Sequence, residues 1–182
     1  MAQPGQARSA QVTHPLAPLA AELATRAVRF VLIGVSAANM YGPHGQAVFI
    51  TTDFDLFLPP EPENLVRSWE ACERAGLELW IADEPLDRPR DRWLAERLVE
   101  RRALTRVTGP GEFLADLTLV MAGFDFEAVW AQRREFLVEG VPVPTARLLH
   151  IVESKQAAGR PKDLLFLATH QDALEQLLKK PD

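Results

Sequence analysis

Short apolar runs rich in strand-forming residues fill the chain up to about residue 144, and helical periodicity follows them. The clearest strand patterns are residues 29–33 (RFVLI) and 112–121 (EFLADLTLVM), because β-branched and aromatic residues favour strands. Further strands are predicted at 48–58, 77–81, 103–107 and in a hairpin over 136–143. This order predicts an α+β fold, a mixed β-sheet flanked by helices with a C-terminal helical segment.

Helices are predicted where apolar residues recur every three or four positions, or where start and stop signals bracket a segment. Pro62 and Gly76 bracket one helix, because proline suits the first turn and glycine the residue after the last. Thr145 is expected to cap a helix that runs to Ala158. We therefore divide the chain into a disordered polar tail (1–14), a core (15–144) and C-terminal helices packed on that core (145–182).

Composition and charge exclude several classes of protein. The chain has 182 residues, a formal net charge of −5 and one cysteine, Cys72. A single cysteine excludes an internal disulfide and a CxxC-type zinc site, and the net negative charge argues against a protein that coats nucleic acid. No apolar run approaches the roughly 20 residues that span a bilayer, and no export-signal pattern is found. We expect a cytoplasmic protein without a membrane partner.

Residues 88–106 contain seven arginines interleaved with acidic residues. The arginines are Arg88, Arg90, Arg92, Arg97, Arg101, Arg102 and Arg106. Two interpretations stay open: a solvated helix with many ion pairs, or a face that contacts a polyanion such as RNA.

Asp53 and Asp55 are two residues apart in a strand pattern, so their carboxylates are expected on the same face. Asp116 interrupts a strongly apolar strand pattern, and a buried acidic group needs a partner. Carboxylates that share a site repel one another unless a cation binds between them or one is protonated, and oxygen ligands suit Mg²⁺ or Mn²⁺. The competing interpretation is three unrelated aspartates, because an isolated Asp-x-Asp motif is common.

Gly34-Val35-Ser36 follows a predicted buried strand and opens a helix. Backbone N–H groups and the Ser36 hydroxyl at such a helix N-terminus favour a phosphate group. The same segment resembles a degenerate nucleophile elbow of an α/β-hydrolase, although neither His150 nor His170 has an evident acidic partner.

Lys155 shares a helix face with Leu148 and Ile151, the face that we expect to be buried. A lysine there extends either to the rim of the protein or into a cleft. Arg160, Lys162 and Asp163 follow closely. These charges either neutralise a triphosphate or are surface groups, with Asp163 stabilising a helix N-terminus.

In this order the motifs resemble bacterial nucleotidyltransferases of the polymerase-β superfamily, especially the small stand-alone group with toxin-like and antibiotic-modifying members. Residues 30–38 resemble the family's strand, Gly-[Gly/Ser] turn and helix, and residues 51–56 its Thr-x-Asp-x-Asp signature. Residues 155–163 are similar to its Lys-then-Arg-x-Lys-Asp segment. Two departures are Val35, where many relatives have a second glycine, and Ile50, where many have arginine.

The resemblance implies transfer of a nucleoside monophosphate from a nucleoside triphosphate (NTP) to an acceptor hydroxyl. It implies that Asp53, Asp55 and Asp116 are catalytic and bind Mg²⁺ or Mn²⁺, with Asp116 accepting the proton of the acceptor. The implied nucleotide-binding residues are Gly34, Ser36, Thr52, Lys155, Arg160, Lys162 and Asp163. The acceptor would be RNA such as the end of a tRNA, a protein side chain or a small molecule. A toxin role would add an antitoxin partner.

Two other functions remain open. Val35 and Ile50 motivate a catalytically inactive nucleotide-binding or antitoxin-type module with the same fold. Asp53-Phe54-Asp55 also matches the metal motif of glycosyltransferases, whose nucleotide-sugar domains are usually larger than this chain.

Overall fold

The computed structural model describes residues 13–180, and one eight-stranded mixed sheet forms its centre. The strands are β1 (Val31–Ile33), β2 (Phe54–Phe57), β3 (Glu78–Ile81), β4 (Glu84–Pro85), β5 (Thr105–Gly109), β6 (Phe113–Thr118), β7 (Arg134–Val138) and β8 (Val141–Thr145). Their order in the sheet is β4-β3-β5-β6-β2-β1-β8-β7, in which only the β2–β6 and β1–β8 pairs are parallel. The predicted α+β class with a mixed sheet is confirmed.

Helices flank the sheet, and three of them form the predicted C-terminal helical segment. The helices are α1 (Ala17–Thr25), α2 (Gly34–Asn39), α3 (Pro62–Arg74), α4 (Arg92–Arg101), α5 (Phe126–Gln132), α6 (Leu148–Ala158), α7 (Pro161–Thr169) and α8 (Gln171–Leu178). Across residues 13–180, no helix is both long and apolar enough to cross a membrane. The predicted disordered tail, 1–14, lies outside the described residues except for its last two positions.

The two faces of the sheet differ in the half formed by β6, β5 and β3. On one face, Val107, Ala115 and Leu117 are fully buried, and Trp69 of α3 donates a hydrogen bond from Nε1 to Thr105 Oγ1 at 3.2 Å. Residues that pair across neighbouring strands point to the same face. Asp55 pairs with Asp116, and Asp116 with Arg106, so these three charged side chains share the opposite face.

Two predicted boundaries are wrong. The strand predicted at 48–58 is shorter in the structure, where only β2 (Phe54–Phe57) forms. The start of the predicted strand donates its backbone hydrogen bonds to a side chain instead of to a neighbouring strand. Asn39 Oδ1 accepts hydrogen bonds from the backbone N–H of Val48 and of Phe49, at 2.9 and 2.8 Å. Thr145 does not cap α6, because it pairs with Leu32 in the sheet and α6 begins three residues later.

Candidate metal centre and its cavity

The register of the sheet brings three carboxylates together. Asp55 and Asp116 are directly opposite each other on the parallel strands β2 and β6, and Asp53 is two residues before Asp55. One oxygen from each of the three lies within 4.8 Å of the other two. Asp116 is buried, with 6% exposure, whereas Asp53 and Asp55 are half-buried. We call this cluster the acidic trio.

Gly34 allows the backbone after β1 to approach Asp55 closely. Its φ is +71°, and a Cβ atom at this position would lie 2.3 Å from Asp55 Oδ2. Such a distance is far inside van der Waals contact, and the left-handed conformation also disfavours other residues. Glycine is therefore required here for a structural reason, whether or not the turn binds a phosphate.

The acidic trio is electrostatically unfavourable without a cation. Burial, followed by the charges of Asp53 and Asp116, raises the pKa of Asp55 to about 6, although Lys155 and Lys162 lower it in part. A divalent cation among the three carboxylates would remove this repulsion. Hard oxygen donors at this spacing fit Mg²⁺ or Mn²⁺. The cluster is therefore a candidate metal centre.

The acidic trio opens into a cavity of about 540 Å³ with a basic wall on its α6–α7 side. Lys155, Arg160, Lys162 and Asp163 line this wall together with Phe166. Residues from the end of β1, from β5 and from the segment after β6 complete the lining. The fold thus places carboxylates and cations, which are far apart in the chain, in one concave site.

Asp163 fixes the basic wall. It is 1% exposed and accepts hydrogen bonds from Lys155 Nζ at 3.0 Å and Arg160 Nε at 2.5 Å. Burial alone would raise the pKa of Asp163, but the hydrogen bonds from Arg160 and Lys155 outweigh it and hold the pKa below its usual range. Lys155 Nζ also lies 4.9 Å from the centre of the Phe166 ring. This lysine therefore has a fixed position.

Lys162 differs from its neighbours on the basic wall. It lines the cavity and forms no ion pair within residues 13–180, yet its charge lowers the pKa of Asp55 through space. It is available to an anionic ligand.

Arg106 is absent from the residues that the sequence predicts for the site. It lies on β5 directly opposite Asp116 and lines the same cavity. Its guanidinium donates to both oxygens of Asp116, from Nε to Oδ1 at 3.0 Å and from Nη2 to Oδ2 at 3.2 Å. The hydrogen bond to Asp116 raises the pKa of Arg106. The sequence signal for this pair is the turn at Gly109-Pro110-Gly111, which makes residues on either side of it pair.

Of the other predicted nucleotide-binding residues, Gly34 lines the cavity, whereas Ser36 and Thr52 do not. Gly34 and Val35 line the cavity. Ser36 lines a different cavity, and its buried hydroxyl donates to Ile33 O at 3.4 Å, an arrangement unlike an exposed nucleophile. Thr52 is exposed and is not part of the cavity lining. Its neighbour Thr51 donates instead from Oγ1 to Asp53 Oδ1 at 3.0 Å.

Most arginines of residues 88–106 form ion pairs, which favours the solvated-helix interpretation. Arg92 pairs with Glu63 and Glu96, and Arg97 with Glu100. Arg88 and Arg90 both pair with Glu73. For this segment the structure gives no continuous row of unpaired cations on which a polyanion would bind.

No family model matches the sequence, and no curated protein matches it. The function is therefore inferred from the geometry and charge of the site.

Proposed function

We propose that this protein is a metal-dependent nucleotidyltransferase with the fold of the polymerase-β superfamily. It would transfer a nucleoside monophosphate from an NTP to an acceptor hydroxyl. One observation carries the proposal: the acidic trio and the basic wall of Lys155, Arg160 and Lys162 line the same cavity. A cation bound by carboxylates next to fixed ammonium and guanidinium groups is the arrangement that a triphosphate needs.

The residues of the trio fit Mg²⁺ or Mn²⁺, since all three offer carboxylate oxygens within 4.8 Å of one another. Such an ion, when bound, polarises phosphoryl oxygens and neutralises the charge that develops on them. Burial and the two neighbouring carboxylates raise the pKa of Asp55 to about 6, which supports a site arranged for a cation.

In the proposed reaction, the acceptor hydroxyl loses its proton to Asp116, and its oxygen forms a bond to the α-phosphorus. The bond between the α-phosphorus and the oxygen that bridges to the β-phosphate breaks, and pyrophosphate leaves with the electron pair. Lys155 and Lys162 would stabilise the negative charge of the leaving pyrophosphate. Asp163 would hold Lys155 in position through the hydrogen bond already formed.

A catalytically inactive nucleotide-binding module, including an antitoxin-type module, is the second candidate. Val35 and Ile50, which differ from many relatives, favour it, and so does Arg106, which already neutralises Asp116. This module would bind NTPs through the same basic wall without transferring them.

The test is transfer of label from each of the four α-labelled NTPs, with Mg²⁺ or Mn²⁺. Total tRNA, cell protein, an aminoglycoside mixture and the protein itself serve as separate acceptors. We expect label in one fraction, and at least a roughly 1,000-fold lower rate in the Asp53→Asn/Asp55→Asn variant, as an order-of-magnitude loss of metal catalysis. The acceptor fraction that carries label identifies the acceptor class.

The matched control is Asp87→Asn/Asp172→Asn, which removes two exposed aspartates outside the cavity. It should transfer label at the wild-type rate. NTP binding in a thermal-shift assay without any transfer would favour the inactive module. Neither binding nor transfer would contradict both candidates.

A further inference from the structure

Considering residues 13–180, Asp116 is the one carboxylate of the trio whose two oxygens both accept hydrogen bonds from a cationic side chain. Arg106 donates to both of them, at 3.0 and 3.2 Å, in a two-point contact. Asp53 accepts only from Thr51 among the described residues, and Asp55 has no such cationic partner there. The trio is thus divided into two open carboxylates and one that the protein neutralises itself.

A guanidinium and a divalent cation compete for the same carboxylate. Both are attracted by the same negative charge, and they repel each other when they are close. A planar guanidinium that binds both oxygens also occupies two of the roughly four lone-pair directions from which a metal ion can approach. A metal ion that uses all three carboxylates must therefore weaken or displace the Arg106–Asp116 contact.

Arg106 is free to be displaced. Its side chain is 47% exposed, whereas that of Asp116 is 9% exposed. Within residues 13–180, Asp116 is the sole ion-pair partner of Arg106, and the other carboxylates that raise its pKa, Asp53 and Asp83, act only through space. The side chain can therefore extend toward solvent at the rim of the cavity without burying an unpaired charge.

We propose that Arg106 is a tethered competitor of the divalent cation. In the metal-free protein it holds Asp116 and partly neutralises the trio, and it leaves Asp116 when the ion binds. The inference rests on the metal centre in the proposed function and adds a residue that limits its affinity. The ion then binds less tightly than three open carboxylates would bind it.

The test is Mn²⁺ binding to the whole protein without nucleotide, measured by titration calorimetry and by the loss of the free-Mn²⁺ electron paramagnetic resonance signal. Wild type is compared with Arg106→Gln, Arg106→Lys and Arg101→Gln at fixed ionic strength. We expect Arg106→Gln to bind Mn²⁺ about tenfold more tightly, the effect of losing one charge-assisted contact. Arg106→Lys should lie between wild type and Arg106→Gln, because an ammonium keeps the charge but not the two-point contact.

Arg101→Gln is the charge-matched control, since Arg101 is exposed at the end of α4 and does not line the cavity. Its affinity should stay within about twofold of wild type, the range expected of a screened distant charge. An equal change in both glutamine variants would show an effect of net charge and would overturn the inference. Circular dichroism and melting curves check that each variant is folded.

Asp116→Asn supplies the second arm of the test. If Arg106 acts only through Asp116, Arg106→Gln should no longer raise Mn²⁺ affinity when Asp116 is already asparagine. A gain that persists in this background overturns the inference. So does an Arg106→Gln variant that binds Mn²⁺ as weakly as wild type or more weakly, since Arg106 would then orient Asp116 for the metal.

These outcomes are separate from failure of the proposed function. Unchanged Mn²⁺ affinity in Arg106→Gln together with normal label transfer would remove the inference alone. Tighter Mn²⁺ binding without label transfer would support the inference and contradict the transferase. Absence of Mn²⁺ binding in every variant would overturn the metal centre and the inference together.

Discussion

The acidic trio, which forms the floor of the cavity, and the basic wall each contain a buried or half-buried aspartate, and the pKa values of these two aspartates shift in opposite directions. In the acidic trio, burial and two neighbouring carboxylates raise the pKa of Asp55 to about 6. On the wall, burial opposes ionisation of Asp163, but hydrogen bonds from Arg160 and Lys155 lower its pKa. One aspartate lacks a sufficient cation within the protein, and the other has two.

This difference separates a binding role from a supporting one. The Asp163 cluster is complete, because each buried charge has a partner in the folded protein, and it fixes the wall. The acidic trio is incomplete, since only one of its three carboxylates has an ion-pair partner within residues 13–180. Charged groups without full compensation in a cavity are typical of functional sites. At such sites the protein is less stable than it would be with apolar residues in place of the charged ones.

The largest expected change in stability comes from Asp163→Asn, which breaks the ion pairs of Asp163 with Lys155 and Arg160. The change leaves Lys155, whose side chain is 15% exposed, without its charged partner. We expect a loss of about 3 kcal/mol in the free energy of unfolding at pH 7, typical of breaking a buried ion pair. For a chain of this size, the melting temperature should fall by roughly 6–12 °C.

The control is Asp172→Asn, because Asp172 is also in the first turn of its helix but is exposed. It should change stability by at most about 0.5 kcal/mol. The pKa of Asp163 is lowered in the folded state, so its contribution is present at neutral pH and is lost as the pH falls through that lowered value. A pH-independent difference between wild type and Asp163→Asn would contradict the ion-pair explanation.

A smaller loss is expected when the floor is changed sterically with Gly34→Ala. The new methyl group would lie 2.3 Å from Asp55 Oδ2, and alanine would be held at a φ of +71°. We expect a loss of about 2 kcal/mol, from backbone strain and displacement of the carboxylate together. Urea denaturation measures the loss, and Mn²⁺ affinity should fall as well because Asp55 moves.

Gly140→Ala separates the two contributions. Gly140 has a φ of +81°, and a Cβ atom there would meet nothing within 4 Å. Gly140→Ala should lose only the stability that backbone strain costs, about 1 kcal/mol, and should leave Mn²⁺ affinity unchanged. Equal losses in stability and metal affinity for both variants would contradict the contact between Gly34 and Asp55.

The smallest effect is a gain in stability from Asp55→Asn. The pKa of Asp55 is raised from its ordinary value of 3.8 to about 6, so the folded protein binds more protons than the unfolded chain between these values. Wild-type stability therefore rises as the pH falls from about 8 to about 4 on account of this group. Asparagine removes the charge, and we expect about 1–2 kcal/mol more stability than wild type at pH 8, after allowing for partial exposure.

Melting curves from about pH 4 to about pH 8 check this prediction. The advantage of Asp55→Asn should shrink through about pH 6 and be mostly lost near pH 4, where wild-type Asp55 is largely protonated in the folded state and the unfolded chain begins to bind the same proton. Added Mn²⁺ should raise the melting temperature of wild type more than that of the variant. A variant that is less stable than wild type at pH 8 would contradict the repulsion within the trio.

The sequence predicted the parts of this site that depend on local pattern. The two-residue spacing of Asp53 and Asp55, and an acidic residue within an apolar strand at Asp116, indicate a shared carboxylate cluster. The fold provides that cluster, with an oxygen from each aspartate within 4.8 Å of the other two. The helical spacing of Lys155 relative to Ile151 likewise indicates a lysine on a buried face, and its side chain is 15% exposed. These signals depend on strand and helix period alone.

The parts that sequence reasoning missed depend on contacts between segments, which no pattern within one segment reveals. Arg106 reaches Asp116 through the register of β5 with β6; the turn at Gly109-Pro110-Gly111 indicates that the two strands pair but does not fix that register. The side chain of Asn39 accepts the backbone hydrogen bonds of residues 48 and 49 that a neighbouring strand would otherwise accept, and no local propensity reveals this. Thr145 does not have its predicted capping role because β8 pairs with β1 from the far side of the sequence. In each case a tertiary contact overrides a local preference.

The order of the strands also has a consequence for synthesis of the chain. β2, with Asp55, leaves the ribosome early, and β6, with Asp116, later inserts between β2 and β5. The helices that carry Lys155 and Lys162 are translated after both of these strands. The basic residues of α6 and α7 therefore follow all three carboxylates in the chain. Arg106, ten residues before Asp116, is the only cation of the cavity lining within residues 13–180 that is synthesised before the third carboxylate.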